Sequence, residues 1–548
     1  MRESAAAETP FDEGSQVERV LTQGMGRRAF MVRAAAMGLT ATALPAFLSA
    51  CAQIDAAADG TPTATAALFP TPTPFRTPTV SATPSLTPTP FGTRIAPPTA
   101  TSQPAQATGL RTELAKTSHL LRRAGFGASP VELERFVAIG LPATVDYLIN
   151  YERVDDDALE RRLATQELDL EQKAGHLRRW WLTRMIYGER PLLEKMTLFW
   201  HGLLTSSFKK AGKGPAMLEQ NQLFREKALG RYDDLLKAVS RDPAMMLYLD
   251  SRTNRKRAPN ENYSRELMEL FSLGIGNYNE NDVRESARAF TGWELRRKEF
   301  RLNGREHDSG EKSFLGKTGP WHGDDIVDII MEQPAAGEYI SRRLFEFFAY
   351  DDPEPEVVLR LAGIFRDSHT EIKPVVRAIL TSEEFYSPRA ARAKLKSPVE
   401  LVASTLRTLS LETDGAQFLK PMDSMGQVLF EPPNVAGWPG GAAWINSSTL
   451  LERVNFANLI ATARRQKLTF EPASLAGAQG MTSTEEQVGF FVDLLLGGEI
   501  PADERAILVA YMNALDSSLL PRDSSARLNE KLRSLVYLLL ASPDYQVA

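Results

Sequence analysis

From about Leu110 onward, apolar residues recur at intervals of three and four, and strict alternation is rare. That period puts them on one face of a helix with 3.6 residues per turn, so the pattern predicts a succession of amphipathic helices and little sheet. Residues 261–273 show it well: Tyr263, Leu267, Leu270 and Phe271 share one face, while Glu261, Arg265 and Glu269 recur at i, i+4, i+8 on another. Gly274 supplies a stop, and Asn279 and Asp282 have capping-box spacing ahead of a second helix that carries Val283, Ala287 and Phe290 up to Gly292. Similar runs span 177–186, 232–239, 338–348, 357–365, 398–409, 450–464, 486–496, 503–515 and 526–540. The clearest strand signal is residues 300–305, where Asn303-Gly304 between extended-looking residues predicts one small hairpin. The expected fold class is all-α, a multi-helix domain over 110–548 with one small β-hairpin. Residues 376–385 and 536–545 echo one another, each a buried helix ending at a serine, an acid and an aromatic. A duplicated helix pair and a chance match between two apolar helix ends both account for that echo.

The first 109 residues follow different rules. Thr-Pro pairs such as Thr71-Pro72 and Thr87-Pro88 fill the stretch from Gly60, with almost no charge, so residues 52–109 are expected to be a disordered, extended linker. Ahead of it, Arg27-Arg28 precede a short apolar run over 34–48, which is below the roughly 20 residues a membrane span needs. Leu48-Ser49-Ala50-Cys51 closes that run, and Cys51 is the only cysteine in the chain. The residues around Arg27 and Arg28 resemble the twin-arginine export motif, and those ending at Cys51 resemble the lipobox of bacterial lipoproteins. Residues 1–51 are therefore expected to be a signal peptide ending at a lipidated Cys51, which would hold the protein to a membrane outside the cytoplasm; a plain anchor helix is the alternative. With no second cysteine there is no disulfide, so stability has to come from the core. A net charge of −5 over 548 residues gives no sign of a nucleic-acid partner, and none is expected.

Candidate chemistry is sparse. The six histidines form no His-Glu-x-x-His pair, and Gly316-Lys317-Thr318 lacks the glycine spacing of a phosphate loop. Phe199-Trp200-His201-Gly202 makes His201 a candidate catalytic residue. Asn262, Glu266 and Glu269 fall on one helical stripe at i, i+4, i+7, the donor types of a hard cation such as a divalent metal; Glu266 is also a candidate acid or base. The competing view is a solvated face with an Arg265–Glu269 ion pair. His307-Asp308 sits in a loop-like stretch as a candidate base or ligand, and Trp200, Trp293 and Trp438 offer faces on which sugar rings could stack.

Six blocks in order carry a family resemblance: residues 119–127, 199–202, 260–276, 289–293, His307-Asp308 and 432–441. Together they resemble the bacterial family called domain of unknown function 1800, over the whole of residues 118–548. The resemblance implies a largely helical, often exported protein with no settled activity. It also implies a candidate partner, a protein of the family called domain of unknown function 1501, whose fold looks related to phosphatases and sulfatases. Members commonly carry a second histidine soon after the Trp-His block, where this chain has Leu203 and Leu204. Two functions follow as expectations. One is a hydrolase-like or metal-binding activity on an extracellular polymer, with His201, Asn262, Glu266, Glu269, His307 and Asp308 gathered in one pocket. The other is a non-catalytic surface adaptor for the phosphatase- or sulfatase-like partner.

Overall fold

Helices make up nearly all the regular structure, and the fold is all-α. The computed structural model describes residues 110–548 apart from 213, 298, 466–467, 499 and 515–522. Arg27, Arg28, Cys51 and the Thr/Pro-rich stretch lie outside the described residues. The helical period was a sound guide to the rest. Helices run over Ala174–Tyr187, Tyr232–Arg241, Asn262–Glu269, Glu280–Ala289, Pro334–Phe348, Pro355–Asp367, Pro398–Thr408, Ser447–Ala461, Thr484–Leu496, Ala502–Ala514 and Ser524–Ala541. Asn279 closes the expected capping box with Asp282, and Gly274 takes the left-handed φ of 77° that ends the preceding turn. No helix among the described residues is long and apolar enough to cross a membrane.

The sheet content differs from expectation in number and register. Among the described residues three two-stranded hairpins are present in place of one. The first pairs Trp293–Arg296 with Glu299–Leu302, so its turn lies at Arg297, which carries φ 53°, and not at Asn303-Gly304. Asn303 instead donates its backbone N–H to Gly292 O (2.7 Å) and closes the hairpin from behind. The second, Lys312–Phe314 with Lys317–Gly319, turns at Leu315-Gly316, both at positive φ, as a tight hairpin requires. A third pairs Arg464–Arg465 with Leu468–Thr469.

One apolar cluster extends from Leu120 to Tyr545 and includes Trp181, Trp200 and Phe271, all fully buried. Buried arginines tie its helices together by satisfying carbonyls left open at helix ends. Arg123, on the Glu113–Arg123 helix, donates to Phe348 O (2.8 Å) and Phe347 O (3.0 Å). Arg407 donates to Ile186 O (3.0 Å) and Gly188 O (2.8 Å), and Arg533 to Ala461 O (3.0 Å) and Ala463 O (2.9 Å). The two echoed helix ends have like local structure. Ser382 and Ser542 each return a hydroxyl to the carbonyl three residues back, and Phe385 and Tyr545 turn inward.

Candidate functional site

Three of the six sequence blocks meet at one cleft of about 380 Å³. Phe199 and Gly202 enter it from the Pro191–Leu203 helix, Arg123 from the first block, and Trp438 to Gly441 from the glycine-rich loop, with Trp444 beyond. The loop can sit this close because two glycines face each other. A Cβ on Gly437 would lie 2.1 Å from Gly202 O, and Gly437 has φ 84°, so any side chain there would drive the loop off the helix. That seating puts Trp438 against the helix, half-buried, as one wall.

Charged side chains line the same cleft. Arg343, Glu346 and Asp351 come from the end of the Pro334–Phe348 helix and the turn after it, and Lys394 from the segment before the Pro398–Thr408 helix. Lys394 pairs with Asp351, and Arg343 lies 3.8 Å from Glu346. Burial pushes the Glu346 carboxyl up and the nearby Asp351 adds to the rise, against the pull of Arg343, Arg342 and Lys394. A carboxyl biased toward its protonated form near one paired with an ammonium is an arrangement acid/base chemistry can use. At the floor, Glu400 pairs with the buried Lys195 and accepts the Ser397 N–H (2.8 Å). Burial alone would raise the Glu400 carboxyl; Lys195, the Ser397 N–H and Arg123 more than reverse that and hold it at about 2.

None of the six residues expected to share a pocket lines this cleft. His201 is 1 % exposed and lies behind the wall, its ring against Trp181, Phe430 and Trp438 at centroid distances of 5.6, 5.6 and 5.5 Å. Its Nε2 and the Trp438 Nε1 are both buried without a hydrogen-bond partner. Burial pushes the imidazole down to about 3. Because the folded chain refuses a proton that the unfolded chain accepts below about pH 6.5, stability falls as pH drops from there toward 3. The slope from this one group is about 1.4 kcal/mol per pH unit. His201→Phe is expected to remove that component, so that between pH 6.5 and 5 the variant loses about 2 kcal/mol less than the parent in urea denaturation. An unchanged slope would assign the titration elsewhere.

The other candidates have structural partners. His307 donates from Nδ1 to Thr291 O (2.9 Å) and stacks on His322 at 4.5 Å, while the Asp308 backbone N–H donates to Thr291 Oγ1 (2.7 Å) and its carboxylate pairs with Arg288 (2.8 Å). This dipeptide fastens the loop after the first hairpin to the Glu280–Ala289 helix. Asn262 donates to Leu249 O (3.0 Å) and Tyr278 donates to Glu269 (2.8 Å). Burial and the neighbouring Glu269 push the Glu266 carboxyl up. Arg265 pairs with Glu261 and Glu280 rather than with Glu269. Among the described residues no three His, Cys, Asp or Glu side chains converge as a metal site, so the metal role expected for Asn262, Glu266 and Glu269 draws no support from this geometry. Trp200 is fully buried, stacked on Tyr232 at 5.4 Å and donating to Ala228 O (2.9 Å), and Trp293 is 5 % exposed between Phe290 and Phe300, so neither presents a face to a ligand. Trp438 alone of the three borders a cleft.

Sequence reasoning missed Glu346, Asp351, Lys394, Trp444 and the Lys195–Glu400 pair. Ser397 and Glu400 did carry a readable signal, the S-x-x-E spacing of a capping box, which the structure closes.

Fold and site together define an all-α protein with an aromatic-walled cleft of mixed charge. The chain belongs to the family described as "Protein of unknown function (DUF1800)", which it matches over residues 119–547. No curated protein and no solved structure matches it.

Proposed function

We propose that this chain is an exported lipoprotein, held to its membrane through Cys51 and the Thr/Pro-rich linker, that binds an extracellular polymer in the Trp438 cleft and acts on it with hydrolase-like chemistry. The observation that carries the reading is that Glu346 and Asp351 line the same cleft as the half-buried Trp438. Indole faces suit the apolar faces of sugar rings, and a cleft of this volume is the size of a small-ligand subsite. Glu346 serves as the acid and Asp351, paired with Lys394, as its basic partner. The reaction needs no metal in this form, and a divalent ion bound with the substrate is compatible with it.

The test uses the detergent-solubilised full chain with soluble cell-envelope polysaccharides, following binding by tryptophan fluorescence and products by chromatography. Trp438→Ala weakens binding about tenfold, the order of one aromatic contact. Glu346→Gln keeps the binding and abolishes turnover. Binding that is indifferent to Trp438 would sink the proposal.

A second reading, an adaptor for a phosphatase- or sulfatase-like protein of the family called domain of unknown function 1501, is favoured by a different surface. Leu114, Pro130, Leu133, Val137, Phe490 and Leu494 line an apolar groove, and Val131, next in sequence to Pro130, is 69 % exposed. Absence of polysaccharide binding, together with loss of partner co-purification in Val131→Glu, would favour it over the first.

A further inference from the structure

The segment that contributes Lys394, Leu395 and Ser397 to the cleft sends Lys396 to a second, smaller space. Its backbone is fixed by the C-terminal tail: Leu395 bridges Val547, the Lys396 N–H donates to Gln546 O (2.9 Å), and Ala548 donates to Lys394 O (2.8 Å). The cavity on that side measures about 20 Å³ as space for the centres of water-sized spheres. That is enough for one water or one monatomic ion, which require roughly 10–15 Å³ on this measure. Leu121, Leu133, Leu494 and Leu495 form its apolar walls, and Ser118, Arg122, Lys396 and Tyr545 its polar side.

Lys396 is 2 % exposed. Among the described residues its ammonium has neither a carboxylate partner nor a hydrogen-bond acceptor; it lies over the Tyr545 ring, 3.6 Å from the centroid. The charged groups around it are Arg122, Arg392 and Arg453 on one side of the balance and Glu400 on the other. Glu400 is already paired with Lys195 and Arg392 with Asp544, so neither pair offers a counterion to the Lys396 ammonium. Ser118, 5 % exposed, has a hydroxyl with no partner. A buried, unpaired ammonium costs several kcal/mol, and only two events relieve it: loss of its proton or arrival of a counterion. Burial and Arg122 push this amine well below its ordinary value.

We propose that this cavity is a binding site for a single halide-type anion, held by Lys396 and the Ser118 hydroxyl. The size excludes phosphate, sulfate and carboxylates. An anion neutralises the buried Lys396 ammonium, which a water cannot do. The anion restores charge balance around Lys396 and so clamps the C-terminal tail and the Glu113–Arg123 helix to the segment that lines the cleft. This inference does not rest on the proposed polymer binding, and either can fail without the other.

Two measurements on the full chain decide it. Crystals soaked in sodium bromide give an anomalous peak in the cavity beside Lys396. Replacing sodium gluconate by sodium chloride at constant ionic strength raises Tm by at least about 1 °C, as expected for a ligand that binds only the folded state. Lys396→Met abolishes the chloride dependence and Ser118→Ala weakens it; if the first variant does not fold, the second decides. Bromide found only at the surface, or a chloride shift unchanged in Ser118→Ala and Lys396→Met, overturns the proposal.

Discussion

Glu400→Gln is expected to lower the unfolding free energy by about 3–5 kcal/mol, the cost of leaving one member of a buried ion pair without its partner. Glutamine keeps the shape and can still accept the Ser397 N–H, so the capping box is retained and the charge alone is removed. What remains is the Lys195 ammonium, 2 % exposed, facing Phe126 and Phe347 with no carboxylate to neutralise it. Guanidinium denaturation at neutral pH checks the magnitude. The double variant Lys195→Met, Glu400→Gln should recover most of the loss, because two neutral side chains of similar volume carry no desolvation penalty. Acid has the same effect as the substitution. Glu400 is held near 2 against an ordinary 4.5, so its contribution is complete above about pH 4.5 and disappears as pH falls through 2. A loss below about 1 kcal/mol in Glu400→Gln would mean that the pair is solvated.

Gly437→Ala is expected to cost about 2–5 kcal/mol and to abolish ligand binding at the cleft. Two terms add. A non-glycine residue at φ 84° costs about 1–2 kcal/mol, and the new Cβ, 2.1 Å from Gly202 O, adds an overlap of about 1–3 kcal/mol. The obstacle is backbone, which cannot swing aside as a side-chain tip would. The loop therefore moves, and Trp438 moves with it, so binding should fall further than stability alone explains. Gly441→Ala is the control: φ is 52° but nothing lies within 4 Å of its Cβ, so only the backbone term, about 1–2 kcal/mol, applies. Thermal denaturation and tryptophan fluorescence of the two variants separate overlap from backbone strain.

The helices were legible because each holds a stripe of apolar residues whose period is set by the helix itself, independent of what the stripe packs against. Asn279 with Asp282 and Ser397 with Glu400 mark helix starts by the same local logic. The first hairpin was misplaced for the converse reason. Asn303-Gly304 is the better turn sequence, but Gly292 accepts Asn303 as a closing contact, and that interaction moved the turn to Arg297. Tertiary contact overrode local turn preference.

The candidate site was legible in part. Trp438 and Gly437 stand in a glycine-rich run that a loop in close contact requires, and His201 stands in the helix beneath it. Residue type could not reveal that His201 would be enclosed by Trp181 and Phe430, or that His307 and Asn262 would turn to backbone carbonyls. Those partners come from elsewhere in the fold, and a histidine or an amide looks the same in sequence whether it meets substrate or a carbonyl.

By itself, the sequence determined the all-α class, the course of many of the helices and the family, since all three rest on periods, caps and ordered blocks read within short windows. Only the tertiary structure decided that Glu346 and Asp351 share a cleft with Trp438 and that Lys195 meets Glu400 across 205 residues of chain. Such pairings are chosen by the packing of whole helices, where burial makes a lone charge too costly to leave unmatched, and no local window of sequence carries that constraint.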